Sequence, residues 1–189
     1  MENGAKKIGL RMAVGVLLAI TIIIAVFASG ITLPNQETKT GRLTVLLTDA
    51  PVDLDELMIT ITDLEVHQVG EGEAEGEWIS LIQDANIEFN LLEYQNGKKL
   101  ELASQDIDIG SYNKIRMFVS KAFAVYKETD SQVPLNVPPG KIDVITEFEL
   151  VEDGSKVVLI DMEPDWVAIS KSGNLRPTLK ASISEEPSE

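Results

Sequence analysis

In KIDVITEFEL, residues 141–150, apolar and polar side chains alternate almost without a break. Ile142, Val144, Phe148 and Leu150 fall on one face, and Asp143, Glu147 and Glu149 on the other. A period of two is that of a β-strand with one face buried. It recurs along the chain. RLTVLLTDAP (42–51) sets Leu43, Val45 and Leu47 against Arg42, Thr44 and Thr48, and Asp49-Ala50-Pro51 ends that strand, because proline has no ladder donor and Asp favours turns. Leu57, Ile59 and Ile61 continue the pattern. The phase then slips to Leu64 and Val66, so one extra residue near Thr62-Asp63 is expected as a β-bulge.

No long segment after residue 41 shows a 3.6-residue period. WISLI, IEFNLLEY and KLEL read as short strands, with Gln95-Asn96-Gly97 as a hairpin turn. YNKIRMFVSKAFAVYK places Ile115, Met117 and Val119, then Phe123 and Val125, on one face. EDGS turns the chain into KVVLIDM, which is apolar on both faces and so reads as a central strand. WVAIS and LRPTLKASI read as the closing strands, the latter aligning Leu175, Leu179, Ala181 and Ile183. Many short strands spaced by turns predict an all-β sandwich or barrel.

Ahead of this region lies a different kind of sequence. Lys6, Lys7 and Arg11 precede an uncharged run from Met12 to Gly30. That run is longer than most signal-peptide cores and short for a full membrane span. Residues 1–30 are therefore expected to be a signal peptide or an N-terminal membrane anchor, with the length favouring an anchor. The basic residues place the N-terminus in the cytoplasm and the rest outside. Residues 31–40 read as a linker, 41–184 as the β-sandwich domain and 185–189 as a disordered tail.

Composition removes several function classes. The 189 residues include no cysteine, which excludes disulfides, thiolate metal sites and cysteine nucleophiles. His67 is the single histidine, too few for a His-rich zinc site. Of 16 basic and 31 acidic side chains, residues 1–30 take three and one, leaving 13 and 30, a net of −17 beyond them. Such a surface repels phosphate backbones, so no nucleic-acid partner is expected.

The segments GRLTVLLTDAPVDLDELMITITDLEVH, EWISL, NLLEYQNG, IGSYNKIRMFVSKAFAV, LNVPPG, FELVEDGSKVVLIDMEPDWVAI and LRPTL occur in an order that resembles the family labelled domain of unknown function 4382. The resemblance spans roughly residues 41–181, with LTDAP followed by ITITDLEVH as its most specific part. It implies a β-sandwich of immunoglobulin or transthyretin type, found in exported and surface proteins of archaea and bacteria, and it supplies no catalytic residues. DIDIGSY stands where the family usually has a Pro-Gly-type turn.

Two acidic groups carry oxygen ligands at close spacing: Asp49, Asp53 and Asp55, and Asp161, Glu163 and Asp165. Calcium takes such ligands, but neither group has the EF-hand order, and Asp49 reads first as a strand-end cap. Glu71, Glu73, Glu75 and Glu77 alternate with small residues in an acidic loop. His67 reads as solvent-facing or hydrogen-bonded, and Trp78 and Trp166 as core or rim packing. No catalytic, cofactor or metal residue is assigned. The expectation is a non-enzymatic extracytoplasmic module for cell-surface structure or binding. Its partner would be a surface protein or envelope component, with the membrane engaged through the N-terminal helix if that is uncleaved. A calcium-dependent adhesion or filament subunit is the alternative, and a hydrolase the third reading.

Overall fold

The computed structural model describes residues 38–49, 53–70, 72, 75–127, 131–164, 169 and 172–185. The expected anchor or signal segment (1–30), most of the linker and the last four residues lie outside these. The described residues from Lys39 onward form one compact unit. Its strands are β1 (Thr40–Asp49), β2 (Glu56–Gln68), β3 (Glu77–Ile82), β4 (Ile87–Asn90), β5 (Leu100–Asp108), β6 (Gly110–Val125), β7 (Gln132–Pro134), β8 (Lys141–Leu150), β9 (Ser155–Glu163) and β10 (Thr178–Ser184), with a short 3-10 helix at Leu91–Tyr94.

They form two sheets. One has the order β10-β9-β1-β5. In the other, β2 and β6 are central, with β3 and β4 beside β2, and β7 and β8 beside β6. All ladders are antiparallel except β1–β9, which is parallel. The inward faces supply the core: Leu43, Val45 and Leu47 of β1, and Val158, Ile160 and Met162 of β9, lie against Leu57, Ile59, Ile115, Met117, Val144 and Leu150 of the other sheet. Burying each such side chain contributes about 1.5–3 kcal/mol. The protein is thus an all-β sandwich.

β9 is central, as its two-sided apolar character predicted, and β8 alternates buried and not buried at every position. The slip in β2 is present: Ile61 pairs with Val119 and Asp63 with Phe118, leaving Thr62 bulged, and Leu64 and Val66 return to the core. Asn96 and Gly97 both have positive φ (58° and 85°), and Lys98 N–H donates to Gln95 O at 3.2 Å, the geometry of a tight turn with two left-handed residues.

Three expectations are corrected. IEFNLLEY is not one strand: β4 stops at Asn90, whose Oδ1 accepts from Leu92 N–H and from Leu57 N–H, capping the 3-10 helix while pinning the start of β2. In β6 the inward face changes at a second bulge, where Thr60 pairs with Lys121 and Ile61 with Val119, leaving out Ser120. Ala122 and Ala124 are therefore buried, and Phe123 is only half-buried. Of WVAIS only Ile169 lies among the described residues, and it is helical rather than extended, as is Ser172 just beyond. Gly173 (φ 63°) donates to Ile169 O at 3.1 Å, the left-handed glycine stop of a helical turn.

Candidate functional site

The first acidic group diverges. Asp49 is buried at the end of β1, and its Oδ2 accepts from Gln95 Nε2 at 3.0 Å. Beside it, Thr48 Oγ1 bonds to the carbonyls of Tyr94 (2.8 Å) and Lys98 (3.0 Å), stitching β1 to the segment that follows the 3-10 helix. Asp53 instead takes Lys127 Nζ at 2.6 Å, which raises the lysine's pKa. The backbone N–H of Asp55 donates to Val125 O at 2.9 Å. In the second acidic group Glu163 pairs with Lys180, which stands opposite Asp161 in the β9–β10 ladder. Asp165 and Trp166 lie outside the described residues. Among the described residues no three metal-ligating side chains gather.

The outward face of the second sheet carries a cross-strand row. His67 stands opposite Trp78 on one side and Lys114 on the other. Its Nδ1 lies 2.9 Å from Asn113 Oδ1, and its ring sits 4.8 Å from the Trp78 ring. The guanidinium of Arg116 lies 3.9 Å from the centre of the Trp78 ring and grips Asp143 with two bonds of 2.7 and 3.0 Å. That hydrogen-bonded pair lowers the Asp143 pKa and raises that of Arg116. Trp78 is thus rim packing, as expected, but the Arg116–Asp143 clamp required the β6–β8 register and was not visible in the sequence.

At the far end from Asp49, the ends of β2 and β8 and the start of β3 surround a cleft of ≈ 590 Å³. Glu75 and Glu77 line it, whereas Glu71 and Glu73 lie outside the described residues. Glu149, Glu152, Val69 and Val151 line it as well. Two smaller clefts, of ≈ 470 and ≈ 420 Å³, lie beside Tyr112 and beside Phe123.

Residues 40–180 match the model of a family described as Domain of unknown function (DUF4382). The chain belongs to the DUF4382 family. The match runs from the first residue of β1 into β10, so the DUF4382 domain and the sandwich coincide. No curated protein and no solved structure matches the chain. Among the described residues of this DUF4382 protein, no helix is long and apolar enough to cross a membrane.

Proposed function

We propose that this DUF4382 chain is a non-enzymatic, extracytoplasmic module of cell-surface structure or binding, held at a membrane by its N-terminal segment or released from it. The observation that carries the reading is that His67, Asp49, Asp53 and Asp143 are each engaged by a neighbouring side chain. The single histidine is bound to Asn113 and packed on Trp78. Asp49 holds Gln95, Asp53 holds Lys127, and Asp143 holds Arg116. A general base needs hydrogen-bond reach to a substrate proton, and these four groups are each held by a neighbouring side chain instead. The uncharged run from Met12 to Gly30, preceded by basic residues, supports the location.

The test has two arms. The full chain is screened for hydrolysis of ester, peptide and glycoside substrates, and intact cells are treated with an external protease. The expected result is no turnover together with cleavage from outside. Turnover that disappears in His67→Ala, or full protection in intact cells, contradicts the proposal.

A further inference from the structure

Four large apolar side chains are exposed among the described residues: Val69 (41%), Ile145 (69%), Val151 (54%) and Ile183. Val69 and Val151 face the same ≈ 590 Å³ cleft. Ile145 lies on the outward face of β8 that also bears Glu147 and Glu149. Both valines are fixed by backbone. Val69 N–H donates to Ser111 O at 2.8 Å, and Val151 O accepts from Gly154 N–H at 3.0 Å. These bonds hold both valine backbones at the rim of the cleft.

The charge at the cleft is of one sign. Glu152 is paired with Lys39 at 2.7 Å. Glu75, Glu77 and Glu149 line the same cleft and have no cationic partner among the described residues. Exposed aliphatic groups gain by leaving water, and unneutralised carboxylates gain from an approaching cation. The volume falls within the range of ligand sites, about 300–1,000 Å³.

We propose that this cleft receives an extended peptide segment bearing both aliphatic and Lys or Arg side chains, supplied by another surface protein. The aliphatic groups would cover Val69 and Val151, and the cations would meet Glu77 and Glu149. This proposal rests on the reading of the chain as a binding module.

Full-length protein in detergent micelles is titrated calorimetrically with three synthetic decapeptides, alternating Lys–Val, Lys–Ser and Glu–Val, at about 0.15 M salt, where exposed charges are well screened. The Lys–Val peptide is expected to saturate one site, with the other two at least about tenfold weaker. The double variants Glu77→Gln/Glu149→Gln and Val69→Ser/Val151→Ser should each weaken it about tenfold, whereas the remote pair Glu88→Gln/Glu101→Gln should not. All six positions are exposed, and unchanged melting curves confirm that the variants fold. Absence of saturable binding overturns the proposal. Equal affinity for the Lys–Ser peptide, or equal loss in the remote pair, also overturns it by reducing binding to diffuse attraction. If hydrolytic turnover appears while the titration holds, the non-enzymatic reading fails and the cleft assignment stands.

Discussion

Tyr112 donates its hydroxyl hydrogen to the carbonyl oxygen of Asp108, four residues upstream, at 2.5 Å. The bond spans the corner where the chain leaves β5 in one sheet and enters β6 in the other. Such a tyrosine corner is a mark of immunoglobulin-type sandwiches. The ring itself is buried and stacked on Phe148, with centroids 5.1 Å apart and planes 14° off parallel.

Tyr112→Phe preserves that stack and removes only the hydroxyl. It should lower stability by about 0.5–1.5 kcal/mol, read from the denaturant midpoint with an unchanged slope. Burial, with smaller contributions from Asp108 and Glu77, pushes the Tyr112 hydroxyl up from its ordinary 10.0 to about 12. The neutral form is the one the fold favours. Its contribution is therefore complete below about pH 10, the unfolded value, and is lost as the pH rises through about 12. Alkaline titration of wild type against Tyr112→Phe should show a steeper loss in the wild type across that window.

Asp49→Asn leaves an acceptor for Gln95 and should be tolerated. Asp49→Ala removes it and should cost about 1 kcal/mol, with or without calcium. A double-mutant cycle with Gln95→Ala should be clearly non-additive, because both single changes break the same 3.0 Å bond. If wild type melts several degrees higher in calcium than in chelator, and Asp49→Asn shows no such gain, the structural role of Asp49 is refuted.

The Arg116–Asp143 clamp predicts an acid dependence. Its side chains are 17% and 34% exposed, so the pair is only partly screened. Hydrogen bonding to Arg116 holds the Asp143 carboxyl below its usual 3.8. The stabilisation is therefore present above that value and is lost as the pH falls through the lower folded-state pKa. Asp143→Asn should be less stable at neutral pH by roughly 0.5–1 kcal/mol, and the gap should close in strong acid. A gap that stays constant down to pH 2, roughly the floor of this titration range, would sink the assignment.

Gly41 sits where β1 passes the β8–β9 turn. A Cβ there would stand 2.6 Å from Val151 O and 2.8 Å from Leu150 Cγ. Because one of these contacts is backbone, the turn itself must shift. Gly41→Ala should destabilise by about 1–3 kcal/mol, as overpacking does, and thermal melting reads it directly.

Much of the sandwich was legible because its strands carry strong contrast. Every inward residue of β8 except Thr146 is a sizeable hydrophobe, and every outward one except Ile145 is charged or polar. The β2 bulge announced itself through Leu64 and Val66. In β6 the contrast fails: Ala122 and Ala124 are small and give a weak signal, while Phe123 gives a strong one on the opposite face, beside its register partners Met58 and Pro134. At Ile169 the signal is weak, because a run of four apolar residues does not distinguish helix from strand. That β1 ends at Asp49 was legible; the side-chain partner Gln95 was not. The cleft was invisible for a plainer reason. Its walls join Val69 and Glu77 to Glu149, which is distant in sequence, and only sheet closure brings them together.

The central place of β1 has a consequence for how the protein is made. The first strand of the sandwich to be synthesised takes its parallel neighbour from residues that begin at Ser155. During synthesis, Leu43, Val45 and Leu47 wait with one edge of their strand open until nearly the entire domain is available. Such non-local pairing is slow to form and exposes the nascent chain to association in the interim. A message cut short before β9 therefore yields no smaller working sandwich. It leaves β1 paired with β5 alone, its other edge open where β9 would lie, so the wiring of the sheet itself registers whether the chain was finished.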